Sequence, residues 1–131
     1  MKVFVSAAHT NAQEAKRIAS ILESRGAEIC STWFQDAVMP YDGDVTSDEL
    51  RKRGERDLHE LMQADFFVQI SDVPSPGGSH TELGAALMID MQGIYLLGPR
   101  RHVFHHLTCI TQCQTVEELC ENLFSDNDSL D

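Results

Sequence analysis

Lys2-Val3-Phe4-Val5-Ser6, then Asn11 to Arg25, Gly26 and Ala27-Glu28-Ile29-Cys30, is the stretch that decides the fold class. The first run is short, β-rich and closes on small residues. Across Asn11 to Arg25 the apolar Ala15, Ile18, Ala19 and Leu22 recur at helical spacing, which predicts a helix. Gly26 stands where a helix-ending glycine is expected, and Ala27 to Cys30 together with Trp33-Phe34 reads as a second strand. A β-α-β unit is thus complete within about 35 residues.

The alternation continues downstream. Residues 35 to 47, with Pro40, Asp42, Gly43 and Asp44, lack periodicity and predict a long loop. Ser47 is placed to cap a helix running to about Gln63, with Asp48 and Glu49 in its first turn and Leu50, Leu58, Leu61 and Met62 on its apolar face. Phe66 to Ile70 predicts a third strand, Ser71 to Gly78 a loop, and Ser79 to Met91 a third helix ended by Gly93. Ile94 to Leu97 reads as a fourth strand broken by Gly98-Pro99, and Val103 to Cys113 is expected to hold a short fifth. A last helix starts at Thr115 and ends near Phe124, which leaves one domain over residues 1–124 and a loose acidic tail over 125–131. Strands alternating with helices predict an α/β, three-layer, doubly wound and mostly parallel five-stranded sheet, Rossmann-like; a five-strand chain of this length fits the flavodoxin-like strand order, which is the order expected. The site is expected at the carboxyl ends of its strands.

Composition narrows the function. The 131 residues suit one modest core, and 42% hydrophobic with 24% charged residues is ordinary for a globular domain. With 21 acidic against 10 basic residues the net charge is −11, a field that repels a nucleic-acid polymer but leaves a mononucleotide as a partner, held by backbone N–H groups at a helix N-terminus. The run after Met1-Lys2 is too short for a signal-peptide core and no membrane-length segment follows, so a cytoplasmic location without membrane attachment is expected. Cys30, Cys109, Cys113 and Cys120 form no CxxC pair and read as free thiols. Neither Cys109, Cys113 and His105 nor the H-x-x-H-H run His102, His105 and His106 has a common zinc spacing, and on a strand or loop the histidines do not converge. No metal and no cofactor is expected.

The residues able to carry chemistry cluster in Asp57-Leu58-His59-Glu60-Leu61-Met62-Gln63-Ala64-Asp65 and, one strand later, Pro74-Ser75-Pro76-Gly77-Gly78-Ser79-His80-Thr81-Glu82-Leu83-Gly84. Glu82 falls in the expected first helical turn, where the dipole favours the ionised form that a nucleophile needs. Asp57 supplies a second carboxylate from the preceding helix, able to orient substrate or move protons. Ser79-His80-Thr81-Glu82 is equally an S-x-x-E capping box, in which Glu82 would only satisfy a backbone N–H. Asp57 is equally a solvated helix residue, and Gly77-Gly78 a plain turn. His80 reads as an exposed helix-start histidine or a neighbour of the substrate. Arg51, Lys52, Arg53 and Arg56 read as a phosphate-facing run or as a solvated face pairing with Glu49, Glu55 and Glu60. Periodicity leaves these alternatives open.

Taken in order, the Lys-Val-Phe-Val-Ser strand, the Asp57-Leu58 to Ala64-Asp65 junction, the glycine-bearing loop before Glu82-Leu83-Gly84 and the Tyr95-Leu96-Leu97-Gly98-Pro99 strand resemble the nucleoside 2-deoxyribosyltransferase family and the related deoxynucleoside 5′-phosphate N-hydrolases. The resemblance implies that Glu82 is the nucleophilic glutamate and Asp57 the aspartate near the base and reacting sugar. It also implies that Ser6, Ala7, Gly77, Gly78, Ser79 and His80 hold the substrate. The implied reaction cleaves the N-glycosidic bond of a (deoxy)nucleoside through a glycosyl-Glu82 intermediate, with transfer to another base. Hydrolysis of a nucleoside 5′-monophosphate to base and sugar phosphate, or a non-catalytic nucleotide-sensing module, is the alternative. The family also implies at least a homodimer. This chain departs from the family pattern in Ser6-Ala7-Ala8-His9, where a glycine-bearing loop is usual, and in a Ser75 to Gly78 stretch about one residue longer than the phosphate-binding version. A flavodoxin-like electron carrier would need its phosphate loop at Ser6 to Asn11, which is a poor match.

Overall fold

The computed structural model describes residues 1–40 and 43–129; Tyr41 and Asp42 of the expected loop and the last two residues of the expected tail lie outside the described residues. Five parallel strands, β1 (Lys2–Ser6), β2 (Glu28–Ile29), β3 (Phe66–Ile70), β4 (Gly93–Leu97) and β5 (Ile110–Cys113), form one sheet in the order β2-β1-β3-β4-β5. That is the flavodoxin-like order, with all strand pairs parallel. The helices are α1 (Ala12–Ser24), α2 (Ser47–Met62), α3 (Gly78–Met88) and α4 (Val116–Ser129). Helices α1 and α4 share one face, where the Arg25 guanidinium lies 5.2 Å from the centre of the Phe124 ring, and α2 packs against α3 on the other. Among the described residues no helix is long and apolar enough to cross a membrane.

The continuous apolar runs predict strands covered on both faces, and β3 is buried at every position. Phe4 stacks on Phe67 across β1 and β3, and Leu61, Leu83, Leu119 and Leu123 bring the helices onto the sheet. Gly26 ends α1 at φ +102°, a conformation glycine adopts without a Cβ penalty, while the Ala27 N–H returns to the Leu22 carbonyl at 3.1 Å.

Several boundaries differ from the expectation, each for a local reason. Trp33-Phe34 does not extend β2; it lies in a 3₁₀ turn, Trp33–Gln35. Two side chains take the places on β1 that a longer β2 would have filled. The Val5 N–H donates to Ser31 Oγ at 2.9 Å, and Trp33 Nε1 donates to the Val5 carbonyl at 2.8 Å. Helix α2 is capped by Thr46, whose Oγ1 accepts the Glu49 N–H, one residue before the expected Ser47. Of its expected apolar face only Leu61 is buried; Leu58 and Met62 are exposed, because the stripe turned inward carries polar groups instead. Helix α3 stops at Met88, not Met91, and Gly93 opens β4 rather than closing the helix. A Cβ on Gly93 would lie 2.9 Å from Tyr95 Oη and 3.0 Å from Phe66 Cδ1, so the glycine there makes room for two rings. Residues 125–129, expected as loose tail, continue α4, and Asp126 accepts a short hydrogen bond from Tyr95 Oη.

Candidate active site

The order in which strands are added reverses between β1 and β3, and the crevice outside their carboxyl ends is where doubly wound sheets place ligands. A cleft of about 130 Å³, open to solvent at its mouth, occupies that position. Ala7 and His9 line it from the end of β1, Trp33, Asp36, Met39 and Pro40 from the segment after β2, Arg53, Arg56 and Asp57 from α2, and Ser75, Pro76, Gly78, Ser79 and Glu82 from the start of α3.

Glu82 and Asp57 therefore meet across one cleft. The S-x-x-E string does not form a capping box: the N-cap of α3 is Gly77, with no side-chain cap bond, and Ser79 is buried. Glu82 is then the fifth residue of the helix, beyond the expected first turn, so the helix dipole is not what holds its charge. A hydroxyl does that work instead. Ser6, fully buried at the end of β1, donates from Oγ to Glu82 Oε1 at 2.6 Å, and Ser6 Oγ lies 2.8 Å from Ser79 Oγ. Burial nevertheless dominates: it pushes the Glu82 carboxyl from its ordinary 4.5 up to about 8, the Ser6 hydrogen bond pulls it down, and the charges of Asp57 and Glu60 push it further up.

Asp57 is raised as well, chiefly by burial, against the lowering effect of Arg56. Arg56 forks onto Asp36 at 2.8 and 2.9 Å and reaches Asp57 Oδ1 at 3.0 and 3.1 Å. Arg53 donates to the Val38 carbonyl at 2.6 Å and to Glu49 at 3.2 Å. Of the basic run, Arg53 and Arg56 thus face the cleft rather than bulk solvent, and Arg56 pairs with Asp36 and Asp57 rather than with Glu55 or Glu60. Glu60 turns to Thr32, accepting its N–H at 3.1 Å and its hydroxyl at 2.8 and 3.0 Å.

Of the residues expected to hold substrate, Ala7, Gly78 and Ser79 line the cleft, and Ser6 stands behind it through Glu82. Gly77 is set back, its carbonyl accepting the Thr81 N–H and hydroxyl. His80 is turned away, into a neighbouring apolar groove with Leu83, Met88, His102, Val103 and Phe104. There the histidines do converge, contrary to the reading of their spacing. His102 precedes and His105 lies within the 3₁₀ turn Val103–His106, their rings stack at 3.8 Å, and His102 Nε2 lies 3.0 Å from His80 Nδ1. His106 stays exposed outside the group.

His80, His102 and His105 are the grouping among the described residues whose ligand atoms, all within 4.8 Å of one another, could hold a metal ion. Both His105 nitrogens are engaged, however: Nδ1 accepts the Arg101 N–H at 2.8 Å and Nε2 bonds Gln69 Oε1 at 2.6 Å. An ion there would have to break one of these bonds.

Sequence reasoning missed Trp33, which it read as strand, Asp36, Met39 and Pro40, which lie in the segment without periodicity, and Gln69, hidden in an apolar strand. One signal was available for α2: Arg53, Arg56, Asp57 and Glu60 fall on one helical stripe.

No family model matches the sequence, and no curated protein does. Solved structures match the fold. The CMP N-glycosidase BcmB of Clostridium botulinum aligns over 95% of this chain and 99% of its own at 22% identity and a TM-score of 0.59. A 2-deoxyribosyltransferase of Bacillus psychrosaccharolyticus aligns over 91% and 90% at 15% identity and a TM-score of 0.70. At these identities the likeness is one of fold, a five-stranded parallel sheet between two layers of helices. Within this fold the cleft between β1 and β3 is where Asp57 and Glu82 stand.

Proposed function

We propose that this protein cleaves the N-glycosidic bond of a nucleoside or nucleoside 5′-monophosphate, with Glu82 attacking the anomeric carbon. The observation that carries the reading is the Glu82 carboxylate at the wall of the switch-point cleft, fixed by the Ser6 hydroxyl and faced by a second carboxyl group, Asp57. The N-glycosidase and transferase among the structural neighbours support it.

In the first step the Glu82 oxygen forms a bond to the anomeric carbon as the bond to the base nitrogen breaks, and the electron pair leaves with the base. The transition state carries oxocarbenium character, and the ionised Glu82 stabilises the positive charge that develops beside it. Asp57, held by Arg56, is placed to pass a proton to the departing base. In the second step the now ionised Asp57 takes the proton of the incoming water or base N–H as it displaces Glu82, which restores the free Glu82 carboxylate and the protonated Asp57. Ground-state burial fits this role: a carboxylate raised to about 8 has shed most of its hydration and gains most when positive charge appears next to it.

Two features favour a 5′-monophosphate over the free nucleoside. Gly78 and Ser79, at the N-terminus of α3, line the cleft, and two arginines, Arg53 and Arg56, line it from α2. The open mouth admits water, which favours hydrolysis, whereas transfer to a second base needs the glycosyl-enzyme kept dry. A homodimer and a cytoplasmic location accompany the reading as expectations.

The test is incubation with a panel of deoxynucleosides and nucleoside 5′-monophosphates, with and without a second free base, followed by chromatography beside a Glu82→Ala control. Base release by the wild type alone supports hydrolysis, and base exchange alone supports transfer. Ligand binding without turnover would overturn the enzyme reading and leave a nucleotide sensor.

A further inference from the structure

A buried glutamine in the central strand of a sheet needs its amide satisfied on both sides. Gln69 sits on β3 among Phe66, Phe67, Val68 and Ile70 and is 2% exposed. Its bonds are directional. The Arg101 backbone N–H donates to His105 Nδ1 at 2.8 Å, so Nδ1 carries no proton and His105 Nε2–H is the donor to Gln69 Oε1 at 2.6 Å. That contact fixes which end of the amide carries oxygen. Gln69 Nε2 in turn donates to Ser79 Oγ at 2.8 Å and to the Ser79 carbonyl at 3.0 Å. Having accepted from Gln69, the Ser79 hydroxyl points its own proton to Ser6 Oγ at 2.8 Å, and Ser6 gives its proton to Glu82 Oε1 at 2.6 Å. Five hydrogen bonds thus run one way, from the Arg101 backbone to the carboxylate.

We propose that Gln69 and His105, neither of which lines the cleft, are positioning residues that set the direction of the Ser79–Ser6 hydroxyl relay and so favour, against burial, the ionised Glu82 that attacks. This rests on the reading of Glu82 as the nucleophile. Bonds in such a chain polarise one another, and a donor supplied at one end strengthens the donor at the other. Reversal of a single member would leave Ser6 with an acceptor facing Glu82, which stabilises the protonated acid instead. His105 is suited to the terminal place because it stays neutral: burial, with the neighbouring charges of His102, His80, His106 and Arg100, pushes it down to about 4. The groups that face Glu82 are Asp57 and Glu60 from α2, with Arg56 bound to Asp57; Arg53 from α2, Asp36 from the segment after β2 and His9 from the segment after β1 line the same cleft.

The test measures the Glu82 titration directly, by carboxyl-carbon NMR of the ligand-free protein with Glu82→Gln identifying the resonance, alongside pH profiles of kcat/KM. Gln69→Met keeps the volume and removes both polar ends; its Glu82 midpoint and the rising limb of its profile are expected to move alkaline by about one pH unit, with KM little changed. His105→Leu is expected to move them the same way. His105→Gln, whose amide nitrogen can replace Nε2–H, is expected to restore most of the shift. Melting curves establish that each variant folds, and if Gln69→Met does not, the two His105 variants decide alone. A Glu82 midpoint that stays in place in folded Gln69→Met or His105→Leu, or that moves equally in His105→Gln and His105→Leu, overturns the proposal. Undiminished turnover by Glu82→Gln would instead overturn the nucleophile reading, which separates the two failures.

Discussion

Ser6→Ala removes one oxygen from the end of β1 and leaves the strand otherwise intact. Ser6 is fully buried, and alanine is close to serine in volume, so the fold should survive. What disappears is the 2.6 Å donation to Glu82 Oε1, the single hydrogen bond that pulls this carboxyl down from the value burial gives it. A hydrogen bond to an ionised group contributes ~1.5–3 kcal/mol. At ~1.4 kcal/mol per pH unit that is a rise of about one to two units. The sign follows from the mechanism: attack needs the carboxylate, so kcat/KM climbs as pH rises through the Glu82 pKa, near 8 in the wild type. In Ser6→Ala the limb should move to pH 9 or above, and turnover at pH 7 should fall roughly 10- to 100-fold, with much of it regained at high pH. A stopped assay of base release across pH 5–10 on both proteins measures this. A limb unmoved in a folded Ser6→Ala, or one that moves toward acid, would refute the assignment of Glu82 as the group that must ionise.

Other consequences can be checked independently. Because the Glu82 carboxyl is raised from 4.5 to about 8 by folding, the unfolded chain ionises first, and wild-type stability should decline as pH rises between those values. Glu82→Gln abolishes that decline, so in urea its stability relative to wild type should improve by ~1–3 kcal/mol from pH 5 to pH 9, water in the open cleft reducing the full effect. Arg56→Met leaves Asp36 and Asp57 without their shared cation and should destabilise by ~1–3 kcal/mol while raising Asp57 further. Thermal melts at pH 6 and pH 8 check it, with the larger loss expected at pH 8. Trp33→Phe loses the bond to the Val5 carbonyl and a wall of the cleft, and should cost ~1–2 kcal/mol with a raised KM.

The alternation of apolar runs, helical spacing and glycine breaks determined the fold class by itself, since each element's burial is written in its own residues; the strand order, expected only because a five-strand chain of this length suits it, was decided by tertiary pairing. Glu82 and Asp57 were legible as a pair only through a resemblance, because the Ser79 to Glu82 string satisfies a capping box equally well. Tertiary structure removed the capping box: the helix starts at Gly78, which turns Ser79 inward and Glu82 to the cleft. The tertiary fold also brought together partners far apart in the chain, Ser6 with Glu82, Arg56 with Asp36, and His80 with His102 and His105. Local periodicity records which face a residue takes, not what lies opposite it. Edge effects were invisible for the same reason: β2 ends at Ile29 because Ser31 and Trp33 satisfy the β1 backbone, and that competition exists only once the two segments are side by side.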